Sequence, residues 1–306
     1  MKPLFGLLLG LVLLGTGPLS HAWSRSGHMV TGAIAHEDLL GSDARVIAQV
    51  ADILEKHPDR GTFEVALGAA TGEARTRRLF MEMARWPDDI RNSPFDHPTW
   101  HYSGKPLIDP REPPTTAVRN HLSGAALEAF ALNLRLAGDR NASAAERAVA
   151  LCWIFHLVGD MHQPLHAVDL FSLRFPEGDR GGGLQFVRET ADSEPQTLHG
   201  FWDGIVPGTG EASDVLDTAN ALRARSTRSA FPQLAARATT NIAVWSSESV
   251  DLAAAKVYRS DLRTGASPQN ATVLTPDYVS DARSTGELRI VLAGYRLSDL
   301  LRALFS

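Results

Sequence analysis

One segment restricts the folds open to this chain more than any other. Ser143-Ala-Ala-Glu146 opens a helix as a capping box, and the helix runs on through Ala150-Leu-Cys-Trp-Ile-Phe155 to His156-Leu-Val-Gly-Asp160. An apolar helix has little reason to carry a histidine and an aspartate, because an ionised carboxylate buried without a partner costs several kcal/mol. His156 and Asp160 are four residues apart, so both leave the helix on one face, one turn apart. A metal ion or another cation is therefore expected beside them.

The rest of the chain suits a helical surround. Apolar residues recur at three- and four-residue intervals over 29–40, 43–56, 74–86, 116–137, 144–163, 215–246 and 283–304. These predict a mainly α, single-domain, multi-helix fold over residues 23–306, and 306 residues with 44% hydrophobic content suffice for one large core. Between Asp169 and Thr197 the pattern changes: Glu177-Gly-Asp-Arg-Gly-Gly-Gly183 reads as a flexible loop and Leu184-Gln-Phe-Val187 as a strand, which predicts a small β-hairpin. The glycine run lacks the Gly-Lys-Ser/Thr and the following helix of a phosphate cradle. Ile108-Asp-Pro-Arg-Glu-Pro-Pro114 reads as a surface loop between helices.

A second His-x-x-x-Asp pair, His199 and Asp203, repeats the first. Taken singly, such a pair more often makes an ordinary hydrogen bond on a helix face; together the two offer four nitrogen and oxygen donors of the kind zinc accepts. Beyond Asp160 the chain continues as Met161-His-Gln-Pro-Leu-His166, where Pro164 disturbs the helix and can turn His166 toward the same centre. The lone Cys152 sits among apolar residues and reads as a buried, inert thiol; with one cysteine no internal disulfide exists. His36 and His57 lie on predicted helices without carboxylate partners at metal spacing, His97 and His121 read as surface or capping residues, and His162 reads as a group supporting the metal ligands from behind.

The segment His156-Leu-Val-Gly-Asp160-Met-His-Gln-Pro-Leu-His166 resembles the hallmark of the S1/P1 nucleases. Further similar elements follow in that family's order: Trp23 with His28, Trp86-Pro-Asp88-Asp-Ile-Arg91, Trp100-His101-Tyr102, Leu198-His199-Gly-Phe-Trp-Asp203, and a last helix around Ala293-Gly-Tyr-Arg. The resemblance implies three zinc ions. Asp88, His101 and His156 would hold one, with Asp160 bridging to another; His166, His199 and Asp203 would hold a second; the amine and carbonyl of Trp23, with His28 and Asp160, would hold a third. It also implies hydrolysis of single-stranded DNA and RNA to 5′-phosphorylated products, with 3′-nucleotidase activity as a further expectation; nothing in the sequence suggests a protein partner, and a monomer is the default expectation. Asp88 would orient or deprotonate the attacking water. Arg91 either contacts a phosphate oxygen or is a solvated arginine at a helix end; Tyr102 either stacks on a nucleobase or faces the core. A formal net charge of −5 without any basic run means that something other than side-chain charge must hold a polyanion, and three zinc ions would do so. Zinc phospholipase C, a relative with a similar site, is the alternative substrate class; a zinc-stabilised binding protein without turnover is the alternative of another kind, disfavoured because structural zinc sites are usually cysteine-rich.

The Trp23 ligand depends on processing. Lys2, the apolar run Leu4–Leu14 and Ser20-His21-Ala22 read as a signal peptide over residues 1–22, since the run is shorter than the roughly 20 apolar residues of a spanning helix. Cleavage after Ala22 would free the Trp23 amine. The expected location is the periplasm or the exterior of a bacterial cell, and there the sequons at Asn141 and Asn270 carry no glycan.

Overall fold

In the computed structural model the described residues are 23–113, 118, 121, 123–235 and 240–305. The expected leader over 1–22 and Pro114 of the proline-rich stretch lie outside them. The fold is mainly α, as the periodicity predicts: α1 (Arg25–Leu40), α2 (Ala44–Leu54), α3 (Arg60–Leu67), α4 (Gly72–Asp89), α5 (Ala126–Gly138), α6 (Ala144–Asp160), α7 (Leu198–Asp203), α8 (Ala212–Arg225), α9 (Ile242–Leu252) and α10 (Pro276–Phe305). None of the described helices is long and apolar enough to cross a membrane.

The capping box of α6 is complete. Ser143 Oγ accepts the Glu146 N–H at 3.2 Å, and Glu146 Oε2 accepts the Ser143 N–H at 2.9 Å. From Ala150 to Asp160 every residue of α6 is buried, packed on α4 and α5. α1 is the other central helix, held between α4 and α10. Its approach to α4 needs Gly32, where a Cβ would lie 2.3 Å from the Phe80 carbonyl oxygen. Gly32→Ala therefore forces the two helices apart, and a loss of about 2–3 kcal/mol is expected in urea unfolding; a neutral result would contradict so close an α1–α4 crossing.

Two apolar clusters fill the interior. One surrounds α6 with Phe80, Trp86, Trp153, Phe155 and Trp245; the other joins Trp23, Met29 and Ile34 to Leu198, Trp202, Tyr278 and Ile290. The long helix expected over 215–246 is instead two. α8 ends at Arg225, and Arg228 on the following turn binds Asp38 of α1 at 2.9 Å and Asp299 of α10 at 2.7 Å, so tertiary ion pairs and Pro232 override the apolar period. Of the helix expected over 116–137, α5 forms from Ala126, and just ahead of it the N–H groups of Ala125 and Ala126 bond the Thr99 and Tyr102 carbonyls; residues 116, 117, 119, 120 and 122 lie outside the described residues. α3 was not expected: it buries only Phe63 and Leu67, too few for a visible period.

The sheets are small. The expected hairpin is β3 (Phe186–Arg188) paired antiparallel with β4 (Gln196–Thr197), and β5 (Thr272–Val273) adds parallel to β3. β1 (Lys105–Ile108) and β2 (Val168–Phe171) form a separate parallel pair with Lys105 opposite Val168. That pair anchors the chain immediately after His101 to the chain immediately after His166. The proline-rich stretch thus begins inside β1 at Ile108 rather than as loop.

Candidate metal centre

α6 delivers His156 and Asp160 fully buried, and the chain then turns through Met161 into a short 3-10 turn, Pro164–His166, which brings His166 back to the same centre. The Pro98–His101 turn supplies His101, α4 supplies Asp88, α1 supplies His28, and α7 supplies His199 and Asp203. The eight expected side-chain ligands thus converge from six places in the sequence. Their donor atoms fall into three groups, each within 4.8 Å: His28, Asp88 and His156; His101, His156 and Asp160; His166, His199 and Asp203.

Asp160 is the hub. Its carboxylate oxygens lie 3.3 Å from His28 Nε2, 3.4 Å from His101 Nδ1, 3.2 Å from His156 Nε2 and 3.9 Å from His166 Nδ1. Both oxygens are buried and accept no hydrogen bond. Burial, and then the neighbouring charges of Asp88 and Asp203, push its pKa well above the usual carboxylate range. Asp203 is pushed up in the same way, chiefly by burial.

The imidazoles are aimed by backbone carbonyls. The Nδ1–H of His156 donates to Ala84 O at 2.8 Å, that of His166 to His101 O at 2.5 Å, and that of His199 to Gly181 O at 2.7 Å. A carbonyl only accepts, so in each ring Nδ1 holds the proton and the Nε2 lone pair faces the centre. His166 Nε2 and His199 Nε2 then confront each other at 3.0 Å with no proton between them. Burial holds His166 at a pKa of about 3 and His199 at about 4, so neither takes the second proton near neutrality. Opposed lone pairs and an unsatisfied buried carboxylate are stable neighbours only around a cation, and nitrogen and oxygen donors in this number suit zinc.

Trp23 is fully buried at the same place, its indole N–H donating to Gly159 O at 2.9 Å, while the Ser24 N–H donates to Asp203 O at 2.8 Å. These contacts pin the start of the described chain to two helices that carry ligands. Arg91 follows α4 and bonds Asp88 Oδ1 through Nη2 at 2.9 Å, so it stands beside the centre. Tyr102 is half-buried, with its ring against Gly104 and the Gly124 backbone.

Several residues matter here that the sequence reading did not single out. Gln163 accepts the Leu165 N–H and donates to Asp203 Oδ1, both at 2.6 Å, which turns Oδ2 of Asp203 toward His199 at 3.4 Å. Gly159 is required inside α6 because a Cβ there would lie 2.8 Å from His28 Nδ1; a glycine interrupting an apolar helix was the available signal. The glycine-rich loop is tied down rather than free: Asp169 accepts the Arg180 N–H, and buried Asp179 accepts from Leu170, Gln185 and Tyr258, which fixes the Gly181 carbonyl under His199. His162, already marked in the sequence as a supporting group, donates through Nδ1 to Val158 O and receives Arg296 Nη1 at 2.8 Å, so it braces the turn between Asp160 and His166.

Among protein-family models, the one described as S1/P1 Nuclease matches residues 23–306. No protein of curated function matches the chain.

Proposed function

Because the chain belongs to the S1/P1 nuclease family over residues 23–306, a family of zinc-dependent hydrolases of phosphodiester bonds, we propose that it is an exported enzyme, periplasmic or secreted, with three zinc ions. It hydrolyses single-stranded DNA and RNA to 5′-phosphorylated products and releases phosphate from 3′-nucleotides. The observation that carries this reading is the buried Asp160 carboxylate, central to histidines from separate elements and without any hydrogen-bond donor of its own.

Asp88, His101, His156 and Asp160 are the residues to hold one ion; His166, His199 and Asp203 a second; His28, Asp160 and the Trp23 amine and carbonyl a third. Zinc in such a setting supplies Lewis acidity toward phosphoryl oxygen, positive charge that this acidic chain lacks, and a water whose pKa falls toward neutrality. The protein's own part is arrangement. The carbonyls of Ala84, His101 and Gly181 hold three imidazoles in the tautomer that exposes Nε2 to the centre. Gln163 restrains Asp203 so that one oxygen remains for the site. Asp88, at the rim with 11% of its side chain exposed, is placed to orient a water and receive its proton. Arg91 offers a planar guanidinium to a phosphate oxygen and to the charge that grows there. Tyr102 presents a ring to an unstacked base, which favours single strands.

Processing belongs to this reading. A leader still joined to Trp23 leaves no terminal amine to donate, so the third ion requires cleavage after Ala22. The test of substrate class is a panel of single- and double-stranded DNA, RNA, 3′-AMP and phosphatidylcholine. Chelator-sensitive cleavage favouring single strands is expected; release of phosphocholine with no cleavage of nucleic acid would replace this reading with that of a phospholipase.

A further inference from the structure

Arg91 is gripped from both sides. Its Nη2 donates to Asp88 Oδ1 at 2.9 Å, and its Nη1 lies 3.5 Å from Asp96 Oδ1. Asp96 is itself fixed by the short loop that follows α4. Its Oδ2 accepts the Asn92 N–H at 2.8 Å, where Asn92 sits in the left-handed region at φ 64°, and the Asp96 N–H donates to Ser93 O at 3.1 Å. Phe95, next to it, packs on Trp86 with ring centroids 5.7 Å apart, which ties the loop to α4. Asp96 Oδ1 is buried and accepts no hydrogen bond, so its one strong interaction is the charge of Arg91.

We infer that Asp96 is a positioning residue for Arg91, which keeps the arginine from closing over Asp88 with both of its terminal nitrogens. An arginine beside a single carboxylate favours the bidentate arrangement, with two parallel N–H···O bonds. That arrangement would occupy both oxygens of Asp88, the residue with the most exposed place among the carboxylates of the centre. The pull of Asp96 on Nη1 leaves Arg91 attached to Asp88 through one nitrogen only. The Arg91 Nε–H is buried and bonded to no acceptor, so Nη2 alone carries the hydrogen bond to Asp88. Asp96 is not among the residues grouped around the centre; it acts through Arg91.

This inference rests on the reading of Arg91 as a phosphate contact, and a double-mutant cycle separates the two. Asp96→Asn keeps an oxygen for the Asn92 N–H, so the loop closes while the charge is gone. In zinc-loaded enzyme on single-stranded DNA, Asp96→Asn is expected to lower kcat/KM by about ten- to a hundred-fold, the cost of a misplaced group, with zinc content and Tm near wild type. In an Arg91→Ala background the same substitution should cost nothing more, because the group it positions is absent. An equal cost in both backgrounds, or a wild-type kcat/KM in Asp96→Asn alone, would overturn the inference and leave Arg91's role standing. A wild-type rate in Arg91→Ala would overturn the Arg91 assignment itself, and the inference with it.

Discussion

If the proposed function holds, replacing Asp160 by asparagine should lower hydrolysis of single-stranded DNA by about a thousand-fold or more, equivalent to roughly 4 kcal/mol of barrier. The reason is its central place: its carboxylate oxygens lie within 4 Å of His28, His101, His156 and His166. Asparagine preserves volume and one oxygen but not the charge that two cations would share. The same substitution has an opposite effect on the metal-free fold. There the wild-type carboxylate is buried without a donor and its pKa is driven far up, so the chain is spared a cost when the ionisable group is removed. Asp160→Asn should accordingly melt at or above wild type in chelator and below it in zinc. Asp89→Asn is the control. Asp89 lies at the end of the same helix as Asp88 but pairs outward with Arg25 and Arg85, and its loss should leave the rate within about two-fold. A melting order that is the same in chelator and in zinc would show that Asp160 does not hold metal.

Chelation is the second large effect. Stripping the metal should lower Tm by about 10 °C, since binding of ions to the native state alone is worth several kcal/mol and each kcal/mol moves a chain of this size by a few degrees. The dependence on pH follows from the shifts. Asp160 and Asp203 have raised pKa values in the metal-free fold, so the stability they contribute as neutral acids is present below the ordinary carboxylate range and is lost as pH rises through those raised values. His166 and His199 have lowered values, about 3 and about 4; the unfolded chain takes up protons below about 6.5 while the folded chain does not, so stability falls as pH drops from there. Protons also compete with zinc for these rings over that range. The gap in Tm between zinc-loaded and chelated protein should therefore be widest above about pH 7 and close near about pH 4. Paired melts across that range measure it, and a gap that widens toward acid would contradict the placement of these groups around metal.

α6, which carries His156 and Asp160, was legible because it signals itself locally by its capping box and apolar run, and α10 was legible by its period. The metal-type side chains were legible for the same reason, since a histidine and an aspartate one turn apart in an apolar helix contradict their surroundings. What was not legible depends on distant partners. Gln163 looks like an ordinary polar residue until Asp203 is found 2.6 Å from its amide, and the Ala84 and Gly181 carbonyls have no side-chain signature at all. The break between α8 and α9 is likewise set by Arg228 reaching Asp38 and Asp299, residues distant in sequence on opposite sides of it. The 177–183 loop looked free because glycine permits many conformations, whereas two buried or half-buried carboxylates, Asp179 and Asp169, choose one.

The most direct measurement is metal content against rate. Protein beginning at Trp23 is stripped with chelator, zinc is returned in steps, and bound zinc per chain and cleavage of single-stranded DNA are read on the same samples. Full activity reached only as occupancy approaches three zinc ions per chain is the expected result, with a chain that keeps residues before Trp23 stopping at two and remaining slow. Full occupancy without any cleavage of nucleic acid, or full cleavage in chelator with no zinc bound, would contradict it.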